Sequence, residues 1–265
     1  MENNIQLIIA LIMTLTIVSA SLPCQGSSSK KIPKLMVVIN GESNSGGIAN
    51  NSDALAEELG VRKSVKILNN QTLTFEDLNI GVNNLLEHTG IFDVTTLHGW
   101  ELELANWSDK QTRFQKPVFL LKTGHGGSRI SEWKTSGSYY TQLINRVSAA
   151  KRQLAGEKYT TVVFFTLGLN DTLTGTDVTV WKSGVKEHFR NLRRMLGPDT
   201  PIIMTRFMKE YPVYNKAIEE ICEEVPNTYS INTQDATQKD IYHWDYAGMK
   251  LITDRMIKVF ESLID

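Results

Sequence analysis

Five apolar runs of four to six residues recur along the chain, at residues 35–39 (LMVVI), 118–122 (VFLLK), 161–166 (TVVFFT), 201–205 (PIIMT) and 228–231 (TYSI). The runs are continuous rather than alternating, the pattern of strands covered by helices on both faces. Amphipathic stretches at residues 53–59, 137–154, 178–196, 213–224 and 246–263 read as helices between and after them. This order predicts an α/β fold: a three-layer α/β/α sandwich around a mostly parallel, about five-stranded sheet with right-handed crossovers. Residues 60–116 show little periodicity and read as a long irregular excursion with one short strand near residues 92–97. Long excursions of this kind often shape a site.

The chain before the first strand divides in two. Residues 5–18 are almost wholly apolar and end on Val18-Ser19-Ala20, which reads as a signal peptide over residues 1–20 followed by a polar linker over 21–33. Residues 34–265 then form one domain. A secreted, periplasmic or cell-surface location follows. The alternatives are a membrane anchor, given that Lys30, Lys31 and Lys34 follow the apolar run, or lipidation at Cys24. Cys24 and Cys222 are the two cysteines, too few for a disulfide framework or a Cys-x-x-Cys metal site. A bridge between them stays open, and a buried helix position is the preferred reading of Cys222. With 28 Lys and Arg against 29 Asp and Glu, the chain has no basic field to hold nucleic acid.

In an open α/β sheet, ligands bind beyond the carboxyl ends of the strands. Four such ends carry unusual residues: Gly41-Glu42-Ser43-Asn44, Gly124-His125-Gly126-Gly127-Ser128, Gly168-Leu169-Asn170-Asp171 and, before the last helix, Asp240-Ile241-Tyr242-His243. A serine hydroxyl is a weak nucleophile until an imidazole takes its proton, and a carboxylate must hold that imidazole in one tautomer. Asp240 and His243, three residues apart, meet this demand locally. The oxyanion of acyl transfer needs preorganised donors, which the Ser43 amide, a Gly126 or Gly127 amide and the Asn170 side chain supply. Singly, each block has a plainer reading: a turn at Ser43, a phosphate loop at Gly126-Gly127, a helix cap at Asn170, a surface pair at Asp240 and His243. No Gly-x-Gly-x-x-Gly pattern and no P-loop lysine accompany the glycines. Four blocks in this order, each at a strand end, outweigh the separate readings.

The four blocks resemble those of the SGNH (GDSL) hydrolases over nearly the whole chain from Leu35 onward. The first block is similar to the Gly-Gln-Ser-Asn of their carbohydrate acetylesterase branch, which includes sialate O-acetylesterases and acetylxylan esterases. The segments from Gly124 to Trp133 and from His243 to Gly248 also look like that branch. Two positions depart from it: Glu42 stands where Gln is usual, and Gly-Leu-Asn-Asp replaces Gln-Gly-Glu. The resemblance implies a flavodoxin-like SGNH fold and an acyl-enzyme mechanism with Ser43 as nucleophile, His243 as base and acid, and Asp240 orienting His243. It places Ser43, Asn170 and a block-two glycine, Gly126 or Gly127, in the oxyanion hole, with no cofactor and no metal.

The expected substrate is an acetylated carbohydrate, with Glu42, Asn44, Arg129, Trp133 and Trp244 as candidate contacts. Tryptophan faces suit sugar rings, although packing that braces the catalytic loops explains Trp133 and Trp244 equally. Arg129 is the local hint of an acidic sugar, and a plain surface position is its alternative. His125 reads as a satisfied loop histidine. A GDSL-type lipase or thioesterase acting on longer acyl esters, and a non-catalytic carbohydrate-binding protein on the same scaffold, are the competing functions. No long apolar lid segment follows the leader, which favours a short acyl group.

Overall fold

The computed structural model describes residues 32–85, 87 and 93–264. The expected leader, all but two residues of the expected linker, and Phe92 lie outside these.

The elements run β1 (Lys34–Gly41), α1 (Ser43–Gly46), β2 (Ala49–Asn50), β3 (Val61–Leu68), β4 (Phe75–Asn79), β5 (Leu97–His98), α2 (Trp100–Lys110), β6 (Gln115–Lys122), α3 (Ser138–Gln153), β7 (Tyr159–Thr166), α4 (Leu169–Leu173), α5 (Val178–Leu196), β8 (Ile202–Thr205), α6 (Pro212–Glu224), β9 (Thr228–Ile231) and α7 (Tyr246–Ser262). Among the described residues the sheet has seven strands, not about five, in the order β4-β3-β6-β1-β7-β8-β9. All neighbours are parallel except β3 and β4. β2 and β5 form a separate antiparallel ribbon.

The two extra strands lie on one side of the sheet, β4 at its edge and β3 between β4 and β6. Arg62, Lys63 and Lys66 break the apolar run of β3, and Glu76 and Asp77 break that of β4. Lys66 pairs with Asp77 across them at 2.9 Å. Charge at a sheet edge discourages pairing with other chains, at the cost of the continuous signal that marks central strands.

Apolar residues fill two layers. Along β1, Leu35, Val37 and Ile39 join the layer covered by α2 and α7, whose Trp100, Leu102, Ile252 and Phe260 pack there. Met36 and Val38 face the opposite layer, filled by Leu143 of α3, Phe189 of α5 and Ile218 of α6. Each such side chain contributes about 1.5–3 kcal/mol on burial, so these layers carry the stability of the fold. Cys222 is half-buried on α6 beside the second layer.

Two further expectations are corrected. Residues 53–59 form no single helix: the 3₁₀ turn Asn51–Asp53 ends where the expected helix begins, and a second, Ala56–Glu58, lies inside it. Glu58 is drawn off by the Leu55 amide, the Asn106 side chain and the Tyr246 hydroxyl, and Arg62 takes its carbonyl. Within the excursion, α2 escapes periodicity because it is buried almost all round. Its Glu101 pairs through Oε1 with Lys122, and its Glu103 pairs with Lys250 and accepts Asn106, so no polar face marks it. No helix among the described residues is long and apolar enough to cross a membrane.

Candidate active site

β1, β6 and β7 lie side by side at the centre of the sheet, so their carboxyl ends meet at one edge. β1 ends on Gly41 at φ 137, where a Cβ would run into the Thr166 carbonyl oxygen of β7. Only glycine permits that approach, and it delivers Glu42 and Ser43 directly over the sheet. Ser43 opens the short helix α1, and no acceptor among the described residues takes its amide.

His243 reaches Ser43 from the loop before α7. Its Nε2 stands 3.1 Å from Ser43 Oγ, and its Nδ1 lies 2.9 and 3.0 Å from the two Asp240 carboxylate oxygens. A carboxylate only accepts, so Nδ1 carries the proton and Nε2 is left as acceptor for the serine hydroxyl. Asp240 Oδ1 also accepts the Tyr242 and His243 amides at 2.8 and 2.9 Å, which folds the Asp–His turn on itself. Burial acts to raise the Asp240 pKa, but the His243 and Tyr242 hydrogen bonds outweigh it and hold the carboxyl below its usual range. Asp240 therefore stays ionised and keeps His243 in the tautomer that can take a proton.

Ser43 and His243 face a cleft of about 220 Å³ lined by Gly127, Leu169, Asn170, Leu173 and Tyr242. The block-two glycines separate here. The Gly126 amide donates to the Glu87 carbonyl at 2.9 Å, whereas Gly127, at φ 78, lines the cleft. Gly126 is thus corrected as an oxyanion donor, and Gly127 is the block-two glycine at the cleft. Asn170 sits beside it at the start of α4.

None of the five candidate substrate contacts lines this cleft. Glu42 is wholly buried and faces the start of α4. Asn44 is buried too. Its amide donates to the Tyr242 carbonyl at 2.9 Å and accepts the Trp244 amide at 3.3 Å, stapling the His243 loop to α1. Trp133 and Trp244 are buried braces, the former donating to Ser128 Oγ at 3.0 Å. Arg129 is exposed outside the lining. His125 stacks on Tyr139 at 3.9 Å between ring centroids, with Nδ1 3.0 Å from the Gly126 carbonyl.

Leu169, Leu173 and Tyr242 were not foreseen at the site. Leu169 and Leu173 are four apart and share one face of α4, a spacing too short to stand out before the helix is known. No group of three or more His, Cys, Asp or Glu among the described residues could hold a metal ion.

The family described as carbohydrate esterase, sialic acid-specific acetylesterase, matches residues 33–262 of the chain. No curated protein matches it. A solved structure of a protein from Arabidopsis thaliana is similar at TM-score 0.69 and 18% identity, over 87% of this chain and 98% of that one. The crystal structure of NanS is similar at TM-score 0.65 and 14% identity, over 88% and 98%. At such identities the two structures show the shared fold.

Proposed function

Because the chain belongs to the sialic acid-specific acetylesterase family of carbohydrate esterases, within the SGNH hydrolases, and is thus a carboxylic ester hydrolase, we propose that it removes O-acetyl groups from a carbohydrate through a Ser43 acyl-enzyme. The observation that carries the reading is the unbroken relay from Ser43 Oγ through the His243 imidazole to Asp240, opening on a cleft. In this mechanism His243 Nε2 takes the serine proton as Oγ attacks the ester carbonyl. The developing oxyanion meets the Ser43 and Gly127 amides and the Asn170 side chain. Collapse returns the proton to the departing sugar hydroxyl and leaves an acetyl-serine. Water, deprotonated by His243, then attacks that ester and releases acetate.

The apolar wall of Leu169 and Leu173 in a cleft of this size supports a short acyl group. Leu173 and Ile241 are more than half exposed near the relay, which is the observation behind the longer-acyl alternative. Export of the enzyme is proposed on the apolar residues 5–18.

Ser43→Ala should lower turnover of p-nitrophenyl acetate by about 10⁴-fold or more with the fold intact by circular dichroism. Retained activity overturns the assignment. Acetate release from acetylated xylan, pectin, sialosides and peptidoglycan identifies the sugar. A p-nitrophenyl ester series whose rates climb with chain length would instead favour the lipase or thioesterase.

A further inference from the structure

The Glu42 carboxylate neither reaches the cleft nor forms an ion pair among the described residues, yet four N–H groups converge on it. Oε1 accepts the Gly168 and Leu169 amides at 3.0 and 2.7 Å. Oε2 accepts the Asn170 amide at 3.2 Å and the Asn170 side chain at 2.6 Å. A residue adjacent to the nucleophile thereby grips the whole start of α4.

The side-chain contact is the informative one. A carboxamide has a donor end and an acceptor end of nearly equal shape, and the oxyanion of acyl transfer is served by the donor end alone. A carboxylate accepts and never donates, so Asn170 must turn its NH₂ toward Glu42. One N–H is then engaged and the second is left for the cleft that Asn170 lines. We infer that Glu42 is a positioning residue, which sets the orientation of the Asn170 amide and so holds an oxyanion donor in place. This rests on the reading of Ser43 as the nucleophile.

An ionised carboxylate suits all four donors, whereas a protonated one becomes a donor among donors and must release one of them. The Glu42 pKa is pushed up to about 7: burial raises it, the backbone and side-chain hydrogen bonds hold part of that rise back, and the Asp171 carboxylate adds a smaller upward push. Asp171 is itself held by the Ile130 amide at 2.9 Å. The Tyr211 hydroxyl, whose pKa is raised chiefly by its own burial and slightly by Glu42, faces the same region, and His243 lies beyond Ser43. The competent state therefore has Glu42 ionised, and activity falls on the acid side as Glu42 takes up a proton.

The test uses the full chain with p-nitrophenyl acetate. Glu42→Gln places a second amide against Asn170 and removes the titration. Expected are a fall in kcat of about 10²–10³-fold with KM changed less than about threefold, and an acid limb of log(kcat/KM) that loses the Glu42 titration. The double variant with Asn170→Ala should be no slower than Asn170→Ala alone, since the two residues act as a unit. A Glu42→Gln enzyme with wild-type kcat and an unchanged acid limb, or effects that multiply in the double variant, overturns the inference. Should that variant not fold, Glu42→Asp decides, its carboxylate one methylene too short to hold the Asn170 side chain: a lowered kcat with KM little changed supports the inference and a wild-type kcat overturns it. Ser43→Ala is run in parallel. Activity in that variant overturns the Ser43 reading itself, whereas an inactive Ser43→Ala beside an unaffected Glu42→Gln overturns only the role of Glu42.

Discussion

Two carboxylates with no solvent exposure bracket the four-residue turn that carries Ser43, and their pKa values are shifted in opposite directions. Glu42 precedes the turn and Glu101 of α2 lies against Gly99, which contacts Gly47 at its far end. Both accept several hydrogen bonds. Those on Glu42 come from three backbone amides and the Asn170 carboxamide, and burial still raises its pKa to about 7. Glu101 accepts the Gly99 amide at 2.8 Å and the Asn84 side chain at 2.7 Å, and in addition the Lys122 ammonium at 3.0 Å. Burial acts on Glu101 as well and is the largest single influence, but the ammonium together with the Asn84 and backbone hydrogen bonds outweighs it and holds the carboxyl below its usual range. Neutral donors lessen the cost of burying a charge, whereas an opposite charge at contact distance reverses its sign. The fold thus holds one carboxylate ionised as a strut above the acid range and leaves the one beside the nucleophile near its titration point.

The sharpest way to break this contrast is Lys122→Met, which leaves the Glu101 carboxylate buried with no cation. A loss of about 3–5 kcal/mol is expected in urea unfolding. Unchanged stability would show that the ammonium is not what sustains Glu101.

The contrast also has opposite signatures in pH. Glu42 has a folded pKa above its unfolded 4.5, so its contribution to stability is fully present below pH 4.5 and is lost as pH rises through about 7. Glu101 has a depressed folded pKa, so its contribution is present above its unfolded value and is lost as pH falls. Replacing Glu42 by Gln should therefore flatten the decline between pH 4.5 and 7, a pH-dependent change of about 3 kcal/mol. Replacing Glu101 by Gln should alter the acid side instead. Urea titrations at a series of pH values read both, and identical pH dependence in Glu42→Gln and wild type removes the contrast.

The smallest effect belongs to Asn84→Ala, which deletes one neutral donor from Glu101 while Lys122 remains. About 2 kcal/mol of stability should be lost, because a hydrogen bond to a charged group is removed, and Glu101 should stay ionised. A loss as large as that of Lys122→Met would place the carboxamide and the ammonium on equal terms.

The glutamate at position 42 was read from the sequence as a substrate contact and as a departure from the Gln of the acetylesterase branch, and Asn170 as part of a second departure. In space the two departures touch, Glu42 Oε2 taking the Asn170 amide at 2.6 Å. They lie 128 residues apart, and nothing local in either block announces the partnership. Asp240 and His243 are the opposite case. Three residues on one turn brought them together, so the chain alone was enough to suggest their pairing.

The sequence by itself determined the layered α/β fold, because strands buried on both faces are written as continuous apolar runs and helices as periodic ones. It also determined the order of the four blocks at strand ends. The strands β3 and β4 and the buried helix α2 were decided only in the tertiary structure, since charged residues interrupt the strands and ion pairs replace the polar face of the helix. The tertiary structure likewise turned Trp133 and Trp244 from sugar contacts into braces and separated Gly127 from Gly126. It made Glu42 a grip on α4 for the same reason: whether a polar group meets water, substrate or a partner depends on what the sheet brings across from far along the chain.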